Sequence, residues 1–166
     1  FFLSPIRSSA ILSGLVGSEL CIRDRHGKAP FSSNDYDRIL SPAGCRGVRK
    51  IARCVRKKVA KLDRILCSPL RRTVQTAEII NKLSYPTVPL ELCDDLAPGA
   101  SCEVIAEKLN TMQEDGLMLV SHQPFVGKMT HYLTGELLSI REATVACIKL
   151  KSCGLYSGEL RWVVES

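Results

Sequence analysis

Apolar positions along the chain follow two periods, and the alternation between them predicts the elements. Val48, Ile51, Ala52, Val55 and Val59 recur at helical spacing and make one buried face. Ser41 and Pro42 stand just ahead of them, as an N-cap and a first-turn proline do. Ile65-Leu66-Cys67 is a short apolar run that reads as a strand. Pro69 opens a second helix through about Leu83, with Val74, Ala77, Ile79 and Ile80 inward. Thr87 to Cys93 is strand-like. Ser101 caps a third helix carrying Val104, Ile105 and Leu109, and Gly116 is expected to end it. Leu117-Met118-Leu119-Val120 reads as a fully buried strand. Pro124 opens a fourth helix that Gly135 closes, and strands follow at Thr144–Leu150 and Glu159–Val164. Strands alternating with helices predict an α/β domain around a largely parallel sheet. The short glycine-containing link between the last two strands suits an antiparallel pair.

Phe1 to Ser18 has neither period. A chain that opens on Phe1 reads as a fragment or a processed product, and Leu15 to Asp24 resembles translated adapter sequence. Residues 1–18 are therefore expected to be a non-native or disordered leader, and residues 19–166 one domain. Leu20 to Asp24 is expected as the first strand.

Composition narrows the class. Hydrophobic residues are 45% and charged residues 24%, an ordinary globular balance. No stretch approaches the roughly 20 apolar residues of a membrane span. The eight cysteines form no C-x-x-C pair, which argues against a zinc or thioredoxin-like centre and for small buried hydrophobes in a reducing compartment. A cytoplasmic protein without a membrane partner is the expectation. The net charge of +6 suits an anionic substrate. Much of it lies on the first helix, where Arg46, Arg49, Lys50, Arg53, Arg56, Lys57, Lys58 and Lys61 occur with no acid among them. A solvated face is the ordinary reading, and a nucleic-acid-binding module without catalysis is the alternative of another class. No aromatic residue interleaves to stack bases, which argues against nucleic acid.

Three polar segments each follow a strand or the place of one: Arg25-His26-Gly27, Ser68 to Thr76, and Ser121-His122-Gln123-Pro124. Ligands of open α/β sheets bind at the carboxyl ends of strands, so the three loops can share a pocket. It would hold two histidines and at least two arginines without a carboxylate cage. Arginine clamps a phosphoryl group with paired hydrogen bonds. A neutral imidazole can attack phosphorus and split hydrolysis into two displacements. Nearby arginines keep that imidazole neutral, and a second, charged histidine stabilises the transferring oxygens. Three histidines at unrelated spacings suggest no metal, and nothing calls for another cofactor.

At these residues the chain resembles the histidine phosphatase superfamily, which includes the phosphoglycerate mutases, and within it the small SixA-type phosphohistidine phosphatases. The R-H-G element matches Arg25-His26-Gly27, S-P-x-x-R-x-x-Q-T matches Ser68, Pro69, Arg72, Gln75 and Thr76, and S-H-x-P matches Ser121, His122 and Pro124. The resemblance runs from about Arg25 to Val164. It implies a three-layer α/β/α sandwich and a phosphatase acting through a phosphohistidine intermediate. His26 would be the nucleophile. Arg25, Arg72 and His122 would be catalytic and bind the phosphoryl group, with Ser68 and Gly27 beside it. The implied substrate is phosphohistidine on a signalling protein, with a small phosphomonoester as the alternative. Arg71 falls outside the family's arginine position and reads as a solvated helix-start residue. His131 has no motif around it and reads as structural.

The chain departs from the family twice. Arg23 and Asp24 stand where an apolar strand leads into R-H-G, and the long insertion carrying a glutamate acid/base in larger members is missing. Asp95, ahead of Leu96-Ala97-Pro98, is the candidate acid/base; its ordinary role is a turn or cap aspartate. A cysteine phosphatase fails on spacing, because Cys67 and Arg72 are one residue too close for a phosphate-cradling loop.

A chain lacking the first 17 residues is expected to melt no lower than the full chain. Thermal melts of the two decide it, and a loss of several degrees would make the segment a structural element.

Overall fold

In the computed structural model, residues 18–24, 36–138, 143–150 and 152–165 are described. The elements in chain order are β1 (Ser18–Asp24), α1 (Pro42–Lys58), β2 (Arg64–Cys67), α2 (Arg71–Ser84), β3 (Leu90–Leu92), a 3-10 turn (Asp94–Leu96), α3 (Cys102–Thr111), β4 (Gly116–Val120), α4 (Phe125–Thr134), β5 (Thr144–Leu150) and β6 (Gly158–Val164). The strands form one sheet in the order β3-β2-β4-β1-β5-β6. The first four are parallel to their neighbours, while β5 runs antiparallel to both β1 and β6.

Strand side chains alternate between two cores, and this makes three layers. Ile65, Cys67, Met118, Val120, Val145 and Cys147 pack with α1 and α2. Leu66, Leu117, Leu119, Ile148 and Leu150 pack with α3 and α4. β4 is buried along its whole length, which is why its sequence is continuously apolar. The fold is the expected three-layer α/β/α sandwich.

The predicted caps hold. Ser41 Oγ accepts from the Gly44 N–H at 3.0 Å, and Pro42 opens α1. Ser101 Oγ accepts from Val104 at 3.4 Å, and Gly135 closes α4 at φ +75°. Three expectations need correction. α2 starts at Arg71 rather than at Pro69, because Ser68 to Leu70 turn the chain out of β2. The strand expected over Thr87–Cys93 is only Leu90–Leu92, and the residues before it close a turn on α2, with Asn81 Nδ2 bonded to the Tyr85 and Val88 carbonyls. Gly116 does not end α3, which stops at Thr111; it is the first residue of β4.

Gly116 is there because the backbone comes close. A Cβ on it would lie 3.0 Å from the Lys61 carbonyl oxygen. Asp63 clamps the same place. Its N–H donates to Gly116 O at 2.8 Å, and its carboxylate accepts from the Gly116 N–H at 2.9 Å. Lys61 Nζ lies 3.2 Å from the carboxylate. Partial burial alone would raise the Asp63 carboxyl, but the Gly116 N–H and the Lys61 ammonium outweigh it and hold the group below its ordinary value.

A carboxyl with a lowered folded pKa stabilises fully above its unfolded value and loses that contribution as pH falls through the folded one. Asp63→Ala should therefore cost about 1 kcal/mol at neutral pH, for one partly exposed charge-assisted bond. The gap to the parent chain should narrow below about pH 4. Denaturant melts of both across pH 3 to 7 check the sign, and a gap that widens in acid would refute it.

Candidate active site

The site begins with register. Arg23 of β1 and Cys67 of β2 both pair with Val120 of β4, so three adjacent parallel strands reach their carboxyl ends in one row. Ser68 follows Cys67 and Ser121 follows Val120, both fully buried. Arg25, His26 and Gly27 follow β1 in sequence and lie outside the described residues. β1 itself runs over Ser18–Asp24 and contains the expected segment Leu20–Asp24.

The turn from β2 into α2 is held by Thr73, whose hydroxyl donates to the Ser68 carbonyl at 2.8 Å and the Leu70 carbonyl at 2.6 Å. That bond starts the helix without a side-chain cap at Leu70 and with no acid in the first turn. Arg72 leaves this first turn and is 4% exposed, a burial that a guanidinium accepts only with polar surroundings. Ser68 Oγ, at the end of β2, is buried with no hydrogen-bond partner among the described residues, an oxygen suited to a ligand. Gln75, one turn on, accepts the Leu40 N–H at 2.8 Å and so ties the entry of α1 to α2. Arg71 points to solvent, as expected.

His122 follows β4 and is 4% exposed. Its neighbour Ser121 donates through Oγ to Leu96 O at 2.9 Å, which ties the loop after β3 to the end of β4. The Gln123-Pro124 bond is cis. A cavity of about 110 Å³ opens beside His122, walled by Gln123, Lys128 and the loop Pro98-Gly99-Ala100. Gly99, at φ +90°, turns that loop. Lys128, on the outward side of α4, was given no part by the motifs; only the fold brings it to this wall.

Asp95 precedes Leu96, whose carbonyl accepts from Ser121 beside His122. It sits on the 3-10 turn, half exposed, with its carboxylate 2.7 Å from Lys108 Nζ. That pairing raises the Lys108 ammonium above its ordinary value. His131 lies half-buried in α4 with its ring edge-on to Tyr156 at 5.9 Å, away from the row. Cys67 sits in the row, but burial first and the Glu78 charge next push its thiol up to about 11. It stays protonated at neutral pH, so it is no nucleophile. Among the described residues no group of three His, Cys, Asp or Glu could hold a metal ion. No described helix is long and apolar enough to cross a membrane.

Comparison with known proteins gives the same picture. The family model of the histidine phosphatase superfamily (branch 1) matches residues 24–98, a stretch that contains Arg25-His26-Gly27 and Ser68 to Thr76. The phosphohistidine phosphatase SixA of Escherichia coli is 28% identical over 117 residues, covering 68% of this chain and 70% of that protein. The solved structure of the protein histidine phosphatase SixA with tungstate superposes at a TM-score of 0.79 with 23% identity, covering 89% of this chain and 96% of the other. A mycobacterial glucosyl-3-phosphoglycerate phosphatase superposes at 0.66 with 15% identity, over 86% of this chain and 96% of the other. The solved structures share the fold, and residues 24–98, which run from the end of β1 through β2, α2 and β3, match the histidine phosphatase superfamily (branch 1).

Proposed function

We propose that this phosphatase works through His26 and removes phosphoryl groups from phosphohistidine on a protein. The observation that carries the reading is the shared row of strand ends, with Arg72 and His122 buried next to it and R-H-G following the third strand. In the first step the His26 imidazole nitrogen attacks phosphorus. The bond from phosphorus to the substrate's nitrogen breaks, and the leaving imidazole takes up a proton. In the second step water attacks the phosphohistidine, releases inorganic phosphate and restores His26.

Arg25 and Arg72 would hold the equatorial oxygens through both steps, and His122 would stabilise their charge. Ser68 Oγ, buried and without a partner among the described residues, would be a further donor to the same oxygens. Asp95 is a weak candidate for the proton donor, since its carboxylate is engaged with Lys108. The substrate choice rests on access. The described connections at this edge are short: Ser68–Leu70 after β2, Cys93–Ser101 after β3 and Ser121–Pro124 after β4. Short loops favour a phosphate displayed on a protein surface over an enclosed metabolite. The fold alone does not choose, because the superposing mycobacterial phosphatase is named for a small phosphorylated sugar acid.

His26→Ala should abolish turnover with the melting curve unchanged, and the parent chain should trap acid-labile, base-stable phosphate. Full activity in His26→Ala would end the proposal. Arg72→Ala should lower kcat/KM by about 10²- to 10³-fold, as loss of a transition-state donor does. A panel of a phosphohistidine protein and small phosphomonoesters decides the substrate, and preference for a small ester would move the assignment to a metabolite phosphatase. Activity should survive exhaustive chelation; loss that a divalent ion restores would point to a metal-assisted mechanism.

A further inference from the structure

The cations of α1 and of the turn after it sort into two sets. Arg56 Nη1 bonds to the Ala60 carbonyl at 2.8 Å, with its guanidinium 5.6 Å from the Tyr85 ring centroid. Lys58 lies over Trp162, and Lys61 pairs with Asp63. These flanking cations are tied to the domain. Arg46, Arg49, Lys50, Arg53 and Lys57 are exposed and form no ion pair with any described residue.

Arg46, Lys50, Arg53 and Lys57 are spaced i, i+4, i+7 and i+11, which sets these four in one stripe with Arg49 at its side. The buried residues Val48, Ile51, Ala52 and Val55 occupy the opposite side, so the stripe points straight outward over about 16 Å. Like charges at these spacings repel, and no acid in the first turn of α1 relieves them. A face that merely solvates the protein would mix signs. One sign held in a line, against helix stability, is complementary to an anionic partner.

The stripe also has a direction. α1 enters at the carboxyl edge of the sheet, where Leu40 is bonded to Gln75 one turn from Arg72. Arg46 therefore lies at the end of the stripe nearer the site, and Lys57 at the far end.

We infer that this stripe is a docking surface for an acidic face of the phosphoprotein substrate, laid along α1 while its phosphate enters beside Arg72. The inference deepens the proposed function and rests on its protein-substrate reading. An acidic polypeptide fits better than nucleic acid: the stripe contains no aromatic side chain for bases, and a single convex helix offers no groove for a strand.

The test uses the full chain and the variant Arg46→Gln/Lys50→Gln/Arg53→Gln/Lys57→Gln. Fluorescently labelled poly-L-glutamate should bind the parent chain at low salt, and its Kd should rise about tenfold or more in the variant. Two phosphohistidine peptides, flanked by glutamates or by glutamines, give the kinetic arm. KM should rise in the variant for the acidic peptide alone, and kcat should hold for both. Melts check folding, and removing the repulsion should leave Tm equal or higher. If the variant fails to fold, Arg46→Gln/Lys50→Gln and Arg53→Gln/Lys57→Gln replace it, each expected to weaken binding in part. Equal poly-L-glutamate binding by parent and variant overturns the inference. Duplex DNA that binds more tightly than poly-L-glutamate and is lost in the same variant overturns it in favour of nucleic acid. If neither peptide is turned over by the parent chain, the substrate reading fails, while the poly-L-glutamate arm still reads the surface alone.

Discussion

The site depends on the lateral register of β1, β4 and β2. A strand slipped by one residue turns every side chain to the other face, and here both faces are core. Slipping β4 would send Met118 and Val120 into space shaped for Leu117 and Leu119 and would move His122 about 3.3 Å along the sheet. Two cores on opposite faces therefore penalise the same error twice. At the amino ends, Asp63 and Gly116 fix β2 against β4 with two hydrogen bonds and a backbone approach that leaves no room for a Cβ. Once that end is fixed, Cys67 and Val120 finish level, and the polar residues after them meet.

Much of this was legible because single physical signals governed each element. The helical period of α1, its Ser-Pro start, the unbroken apolar run of β4 and the Gly135 stop each have one structural reading, and each is realised. The sequence misled where two roles share one residue type. Gly116 looks like a helix stop, because glycine commonly ends helices; its constraint is the Lys61 carbonyl, far away in any local window. β6 shows another limit. Leu160 and Trp162 have the alternation of one strand face, yet Leu160 packs against the α3/α4 core and Trp162 against the α1/α2 core. A register shift opposite Cys147 and Ile148 leaves Arg161 as an extra residue and turns the strand over. Nothing in the local pattern announces a bulge.

The site divides along the same line. Arg72, Ser68 and His122 were singled out because their chemistry is scarce and each follows a strand, and all three are buried there. Arg25, His26 and Gly27 were singled out in the same way and lie outside the described residues. Gln75 was read as part of a motif, but its described bond is the brace to Leu40 that sets where α1 begins. Lys128 was not legible, since it shares only a cavity wall with His122. Asp95 was singled out from its place before Leu96-Ala97-Pro98, and its partner Lys108 comes from the next helix.

A last feature of the site is spread too thinly to form a motif. α1, α2 and α4 all begin at the carboxyl edge of the sheet, and none has an acid in its first turn. Acids there ordinarily stabilise a helix by about 0.3–1 kcal/mol through its macrodipole. Only α3, which enters from the edge strand β3, has one, at Glu103. The three helices that begin beside the row of strand ends thus forgo that stabilisation, and the positive ends of their dipoles face this edge. A carboxylate in any of those first turns would lower the positive potential at this edge. The Arg72 guanidinium and the acid-free first turns thus act in one direction, each making this edge more positive.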